Sequence, residues 1–287
     1  MSVFSYFSSI ENNWLDNIFT RYSSGQNSRN NTGQVYLIGA GPGDPELITV
    51  KAQRILNSAD VVLYDWLVAD ELITSLPASC KRVFVGKRAG KHSMTQPQIC
   101  QQLVKFAQQG LTVVRLKGGD PSIFARICEE AEALQQAAIK FAIIPGVTTA
   151  CATSAYTGIP LTKRHVAASI TFMTAQFSDP KKQPDWQKYR YMPNGDNSTL
   201  VVYMGLNRLE QLVSGLISVG WPKNTPIALI EQATTLEQRV NTSTLDKAYK
   251  IPSSEAIHGP TLIIIGEVIN HTMPISPELL NVTAYGV

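Results

Sequence analysis

Short apolar runs that end in glycine constrain this chain more than any other feature. Val35–Ile38 runs into Gly39-Ala40-Gly41-Pro42-Gly43-Asp44-Pro45, Thr112–Leu116 runs through Lys117 into Gly118-Gly119-Asp120, and Ala142–Ile144 runs into Pro145-Gly146. Further apolar runs at Val61–Tyr64 and Val83–Val85 have strand length. Between the runs, Pro45–Ser58, Ile99–Gln109 and Ile127–Ala138 carry helical periodicity; Leu47, Ile48, Ala52, Ile55 and Leu56 fall on one side of the first. Apolar strands alternating with helices predict a parallel α/β sheet.

The rhythm changes after Gly146. Val147–Tyr156 is rich in small residues and predicts a helix, Leu209–Val219 predicts another, and Ile170–Thr174, Thr199–Tyr203, Ile227–Glu231 and Thr261–Gly266 read as strands. The polar stretch 176–197 holds Pro180, Pro184 and Pro193 and predicts a long loop. The expected organisation is an extension and linker at 1–33, α/β domains at 34–146 and 147–271, and a tail at 272–287, with no internal repeat. In the extension, Phe4, Phe7, Trp14, Leu15 and Ile18 fall near helical spacing before the polar run 23–33. With little positive charge to meet lipid, that helix reads as a loosely packed extension rather than a membrane-surface anchor or docking arm.

Composition narrows the function classes. Charged residues are 16% of the chain and the net charge is +3, which argues against bulk disorder, coiled coil and a charge-driven nucleic-acid binder. Cys80, Cys100, Cys128 and Cys151 form no Cys-x-x-Cys pair, and His92, His165, His258 and His271 show no helical metal spacing. No metal site is expected, and the cysteines read as buried thiols of a reducing compartment. No apolar run approaches the roughly 18 residues of a membrane span, and the N-terminus lacks a secretory pattern, so the cytoplasm is the expected location.

Ligands of open parallel sheets bind beyond the carboxyl ends of the strands, where this chain puts its glycines. The first loop departs from the dinucleotide fingerprint, since Asp44 stands at the last glycine position and would disfavour a pyrophosphate. Gly118-Gly119-Asp120 offers backbone amides and a carboxylate to a hydroxylated or cationic ligand. Thr148 and Thr149 open a predicted helix, where simple N-capping is the ordinary explanation. Basic residues cluster at Lys81, Arg82, Lys87, Arg88 and Lys91, at Arg115, Lys117 and Arg126, and at Lys163 and Arg164. Any one run reads as a solvated face; together, at strand ends, they favour a polyanionic ligand. Asp65 and Lys87 follow the second and third strands and would share a cleft if those strands are neighbours, either as a proton-moving pair or as a structural ion pair.

Taken together these segments resemble the tetrapyrrole methylase family, which uses S-adenosyl-L-methionine. The resemblance is carried by VYLIGAGPGDPELITVKA (35–52), ADVVLYDWLV (59–68), VFVGKRAGKH (83–92), VVRLKGGDPSIFAR (113–126), IPGVTTACATSAYTGIPLTKR (144–164), VVYMGL (201–206), ALIEQATTLEQRV (228–240) and GPTLIIIGEV (259–268), in the family's order. It implies two α/β domains with mostly parallel sheets, the active site in the cleft between them, and a homodimer. It implies cofactor contacts from Pro42, Gly118, Gly119, Asp120, Ile123, Thr148, Thr149, Met204 and Ala233, with S-adenosyl-L-homocysteine as product. Asp65 and Lys87 match the family's proton acceptor and donor; Arg88, Arg126, Thr162 and Arg164 would face the substrate's carboxylates. The VGKRAG block points to uroporphyrinogen III as substrate, methylated at C2 and then C7 to precorrin-2 for siroheme, cobalamin or heme d1, without nucleic acid or metal.

The chain departs from the family where Phe-Gly-Arg-Gly-Gly is common: here Phe124-Ala125-Arg126-Ile127-Cys128 replaces three glycines, which predicts a less permissive loop. Ala233 also stands where glycine is usual. Other readings remain open at this stage: a methyltransferase for another precorrin or for the diphthamide precursor, a nicotinamide-dependent oxidoreductase built on the first glycine loop, and a non-catalytic tetrapyrrole-binding protein.

Overall fold

The computed structural model describes residues 32–86, 94–176, 183–193, 197–254, 257 and 259–280. The predicted N-terminal helix, most of its linker, Lys87 and Arg88 lie outside the described residues.

Five strands form the first sheet: β1 (Gln34–Gly39), β2 (Val61–Tyr64), β3 (Lys81–Phe84), β4 (Thr112–Lys117) and β5 (Lys140–Ile144), in the order β3-β2-β4-β1-β5. All of its pairings are parallel, as the apolar runs predicted. A parallel sheet needs cover on both faces. Helices α1 (Val50–Leu56) and α2 (Asp70–Thr74) pack Ala52, Ile55, Leu56, Leu72 and Ile73 on one face, against Ile38, Val62, Val114 and Leu116. Helices α3 (Gln96–Gln108) and α4 (Ile127–Gln136) cover the other with Ile99, Leu103, Phe106 and Leu134, against Val35, Leu37, Leu63 and Val113. Each such side chain, fully buried, contributes about 1.5–3 kcal/mol.

The helix expected over Pro45–Ser58 is split. Asp44 caps a 3-10 turn at Pro45–Leu47, where its side chain accepts from the Glu46 amide, and Ile48 is extended. Thr49 then caps α1 by accepting from the Ala52 amide at 3.2 Å. Two capping residues five positions apart start two elements where periodicity alone suggested one.

The second sheet holds β6 (Ile170–Thr174), β7 (Thr199–Tyr203), β8 (Pro226–Glu231), β9 (Arg239–Thr244) and β10 (Thr261–Ile265), in the order β6-β7-β10-β8-β9. Of the eight strand pairings in the two sheets five are parallel, so the mostly parallel expectation holds across the molecule. Within the second sheet only β6 and β7 are parallel partners; β10 inserts antiparallel between β7 and β8, and β9 returns from β8 along the edge. Helix α5 (Thr149–Thr157) places Ala150 on one face of this sheet, among Val201, Ala228, Ile230, Leu262 and Ile264. Helix α6 (Leu209–Ser218) covers the other with Leu209, Leu212, Val213 and Leu216, at the spacing of one helical stripe.

The topology of the first sheet fixes where a ligand can sit. From β1 the chain leaves over the α1 face toward β2; from neighbouring β4 it leaves over the α4 face toward β5. The connections diverge between β1 and β4, which opens a crevice at their carboxyl ends. The loops at Gly39–Asp44 and Gly118–Asp120 flank that crevice.

Candidate active site

Three chain segments touch at the crevice because glycines permit it. A Cβ on Gly39 or Gly146 would lie 2.5 or 2.4 Å from the Gly119 carbonyl oxygen, so neither position accepts a side chain without moving backbone. Gly119 donates to the Gly41 carbonyl at 2.6 Å and Gly41 donates back at 3.3 Å, which ties the first two glycine loops together. Asp120 ties in the third: Oδ2 accepts from the Gly146 amide at 3.0 Å, while Oδ1 caps the Ser122 amide at 2.8 Å. Gly119 itself differs from Gly39 and Gly146. Its φ of +68° is left-handed, and an added Cβ would meet only Thr149 Oγ1, at 3.6 Å. The strand ends therefore present a backbone cradle with room in front of it, bordered by Thr149.

Residues from the second sheet close on the first glycine loop. The Asp44 amide donates to Thr234 Oγ1 at 3.0 Å, and the Tyr156 hydroxyl donates to the buried Asp44 carboxylate. Gln238 completes the latch, donating from Nε2 to the Tyr156 carbonyl at 3.0 Å and accepting from the Thr234 amide at 2.8 Å. Burial raises the Tyr156 hydroxyl pKa, and the hydrogen bond to Asp44 raises it further. Asp44 is thus consumed by a structural latch, and the glycine loop leads into a 3-10 turn rather than a helix amino end. That geometry does not suit the pyrophosphate of a nicotinamide dinucleotide.

Backbone strain gathers at the ends of β7 and β8. Met204, Gln232 and Thr234 adopt left-handed φ values of 55°, 47° and 69°. Non-glycine residues held so cost of order 1–3 kcal/mol each and concentrate at binding sites. Met204 is 47% exposed, whereas Ala233 is buried. The Tyr203 hydroxyl accepts from the Ala150 amide at 3.2 Å and bonds Thr148 Oγ1 at 2.7 Å. Tyr203 therefore caps α5, and Thr148 does not cap it with its own side chain. The simple N-capping explanation fails for Thr148. Phe124 packs on Tyr203 with ring centroids 5.2 Å apart.

The structure brings Pro42, Gly118, Gly119, Asp120, Thr148 and Thr149 to the carboxyl ends of the first sheet and Met204 and Ala233 to those of the second; Ile123 follows Asp120 in the same loop, its amide donating to the Asp120 carbonyl at 3.2 Å. Asp65 stands directly after β2 with its side chain 23% exposed. Thr162 and Arg164 lie on an exposed turn after α5. Arg126 is exposed at the start of α4 and forks onto Glu129 through Nε and Nη2 at 2.8 and 2.7 Å, a hydrogen-bonded pairing that holds the Glu129 carboxyl below its usual value.

Two expectations need correction. Sequence proximity groups Arg115 and Lys117 with Arg126 as a surface for polyanions. Both are 4% exposed and turn inward onto Glu130, so they neutralise a buried carboxylate. The cysteines were expected to be buried; Cys80 is, Cys100 is half-buried, and Cys128 and Cys151 are exposed, because each of the last two lies on the outer side of its helix. Tyr156, Tyr203, Thr234 and Glu130 join the site without a motif that marks them in the sequence. The only signal for the two tyrosines was a polar-tipped aromatic beside a glycine loop or strand end.

The residues present suit S-adenosyl-L-methionine. The cradle at Gly119 leaves space that a Cβ would fill, with the Thr149 hydroxyl at its border as a polar group within reach. Among the described residues no three His, Cys, Asp or Glu side chains gather as a metal site, and no helix is long and apolar enough to cross a membrane.

Residues 34–249 match the family model of the tetrapyrrole (corrin/porphyrin) methylases. Siroheme synthase of Pseudomonas fluorescens is 46% identical over 237 residues, which are 83% of this chain and 50% of that protein. Siroheme synthase of Nitrosospira multiformis is 44% identical over 238 residues with the same coverage. The chain thus spans about half the length of the curated relatives it matches. Among solved structures, the uroporphyrin-III C-methyltransferase of Thermus thermophilus in complex with S-adenosylhomocysteine superposes with a TM-score of 0.70 at 34% identity, covering 83% of this chain and all (100%) of that one. A cobalt precorrin-4 methyltransferase of cobalamin biosynthesis superposes with a TM-score of 0.72 at 25% identity, covering 85% of this chain and 99% of that one.

Proposed function

The chain belongs to the tetrapyrrole (corrin/porphyrin) methylases and is an S-adenosyl-L-methionine-dependent methyltransferase; from that premise we propose that it methylates uroporphyrinogen III, at C2 and then C7, to give precorrin-2. The cradle at Gly119 carries the reading: a Cβ there would meet only Thr149 Oγ1, and Asp65 stands directly after β2, the strand next to β4. The likeness to the Thermus enzyme supports the substrate.

Bound in the cradle, the cofactor supplies an electrophilic methyl group on its sulfonium sulfur. The reduced tetrapyrrole supplies a nucleophilic ring carbon. Pro42, Gly118, Gly119, Asp120, Ile123, Thr148 and Thr149 at the first sheet, with Met204 and Ala233 at the second, would hold the cofactor and exclude water. Transfer of that methyl to the ring carbon would release S-adenosyl-L-homocysteine and leave positive charge on the ring for the protein to stabilise. Asp65 would stabilise that charge and take the one proton the ring releases, and Lys87, matched to the family's donor position, would receive it and donate it to solvent. Arg88, Thr162 and Arg164 bind acetate and propionate arms. Arg126 does so by exchanging Glu129 for a substrate carboxylate, a swap that an exposed pair permits at little cost. The assembly expected is a homodimer in the cytoplasm.

The experiment is an anaerobic incubation of the protein with S-adenosyl-L-methionine and fresh uroporphyrinogen III, read by mass spectrometry. The expected product carries two added methyl groups and is heavier by two CH2 units, since each methylation releases a proton. Asp65→Asn should bind both ligands and lose turnover; full turnover in that variant rejects the role of Asp65. The cobalt precorrin-4 neighbour motivates one alternative, a methylase of a later precorrin; methylation of such a substrate in place of uroporphyrinogen III would establish it.

A further inference from the structure

The first sheet buries an ion cluster directly behind Asp65. On β4, Arg115 and Lys117 alternate with Val114 and Leu116, so both point to the face covered by α3 and α4. Glu130 comes down from α4, fully buried, and its Oε1 accepts three donors: Lys117 Nζ at 2.8 Å, Gln96 Nε2 at 3.1 Å and Arg115 Nε at 3.2 Å. Its Oε2 is buried without a hydrogen bond. Arg115 fills the space between Glu130 and Asp65. Its Nη1 donates to the carbonyls of Leu116 at 2.9 Å and Leu63 at 3.5 Å, and its Nη2 reaches Asp65 Oδ2 at 3.2 Å.

Such a cluster is an inefficient way to stabilise a fold. Desolvating ions is costly, and apolar replacements of similar volume are often neutral or stabilising. Here the desolvation is visible at Lys117, whose ammonium pKa is lowered by burial first and by Arg115 next, against the pull of Glu130. The cluster does achieve one thing that apolar packing could not. It brings a charged fork, fixed at its root by Glu130 and two carbonyls, to one oxygen of Asp65. The other oxygen accepts from the Leu67 amide at 3.3 Å. With one anchor on each oxygen, the carboxylate can neither turn about its last bond nor swing away from β2, and it keeps 23% of its side-chain surface on the open side. A group that must meet a developing charge works only within about 0.5 Å and 10–20° of the right geometry.

We propose that Arg115, anchored by Glu130, is a positioning residue that orients the Asp65 carboxylate for methyl transfer. This rests on the reading of Asp65 given above. It also explains why two cations and a carboxylate are buried behind a strand end that otherwise packs aliphatic side chains.

A double-mutant cycle on the full chain tests it. Turnover and KM with uroporphyrinogen III, and S-adenosylhomocysteine affinity, are measured for Arg115→Met, Arg115→Lys, Asp65→Asn and Arg115→Met with Asp65→Asn. Arg115→Met is expected to lower kcat roughly a hundredfold, as for a misplacement of about 1 Å. KM and S-adenosylhomocysteine affinity should stay within about threefold, and Arg115→Lys should recover part of the loss. Once Asp65 is Asn, losing Arg115 should cost nothing more, because residues that act as a unit are not additive. Multiplying losses, or a raised KM at unchanged kcat, would overturn the inference while leaving Asp65 in its role. Full turnover in Asp65→Asn would overturn both. In case Arg115→Met misfolds around an unpaired Glu130, the combined variant Arg115→Met, Lys117→Met and Glu130→Met removes the whole cluster. It should fold, bind S-adenosylhomocysteine and show the same kcat loss; wild-type kcat in that variant refutes the proposal.

Discussion

Adding one methyl group at Gly146 should unlock the site from behind. A Cβ there would stand 2.4 Å from the Gly119 carbonyl oxygen and 2.8 Å from Gly39 Cα and carbonyl carbon, all backbone atoms held by the first sheet. Ordinary contact begins near 3.4 Å, so the loops must part by about 1 Å. That movement stretches the 3.0 Å bond from the Gly146 amide to Asp120 Oδ2. Losing a hydrogen bond to a charged group costs about 1.5–3 kcal/mol, and overpacking adds about 1–3 kcal/mol. Gly146→Ala should therefore destabilise by about 2.5–6 kcal/mol, a fall in melting temperature of roughly 4–10 °C at this chain length. Gly119→Ala is the informative contrast. Its methyl has room, 3.6 Å from Thr149 Oγ1, and meets chiefly the strain of a left-handed φ of +68°, about 1–2 kcal/mol. It should melt near wild type yet lose S-adenosylhomocysteine affinity if, as proposed, the cofactor occupies the space in front of Gly119. Thermal melts and calorimetric titration of both variants decide the matter. If Gly146→Ala melts like wild type, or Gly119→Ala binds S-adenosylhomocysteine unchanged, the close-approach reasoning and the cradle respectively are wrong.

Three other outcomes follow from particular contacts. Tyr156 has its pKa raised by burial and by Asp44, so above about pH 10 the unfolded chain loses that proton before the folded one, and stability drains as pH rises. Melting temperatures between about pH 8 and 11 should fall less steeply for Tyr156→Phe than for wild type; parallel curves would refute the latch to Asp44. Tyr203→Phe removes the acceptor for the Ala150 amide and the partner of Thr148, and should cost about 1 kcal/mol in a denaturant melt. The same variant should weaken S-adenosylhomocysteine binding by freeing Thr148, and unchanged affinity would show that Thr148 is not a cofactor contact.

The parts of the fold that the sequence made legible are those where backbone rules and side-chain rules coincide. β2, β6 and β7 lie on their predicted residues because each is a compact apolar run with turn residues at both ends. β9 (Arg239–Thr244) escaped notice because its sequence, RVNTST, contains one apolar residue; an edge strand with exposed faces carries no alternation to detect. The antiparallel insertion of β10 was also illegible. Side-chain periodicity reports that a segment is extended and buried, and is indifferent to which way the chain runs.

For the site, glycine was a reliable guide and charge was not. Gly39, Gly119 and Gly146 answer to the backbone alone, so their meaning survives without knowledge of distant partners. Arg115 and Lys117 take their meaning from Glu130, which lies 15 and 13 residues further along the chain on another element. Counting them with Arg126 by proximity in sequence placed three cations on one surface, whereas strand alternation turns the first two inward. The replaced glycines are a separate matter. Losing glycine at Ala125, Ile127 and Cys128 suggested a stiffer loop, yet the left-handed positions there are Phe124 and Arg126, with φ of 51° and 56°. The substituted positions do not need the conformational freedom that glycine provides. Whatever strain the loop carries falls on those two residues: the ring that packs on Tyr203, and the guanidinium that pairs with Glu129.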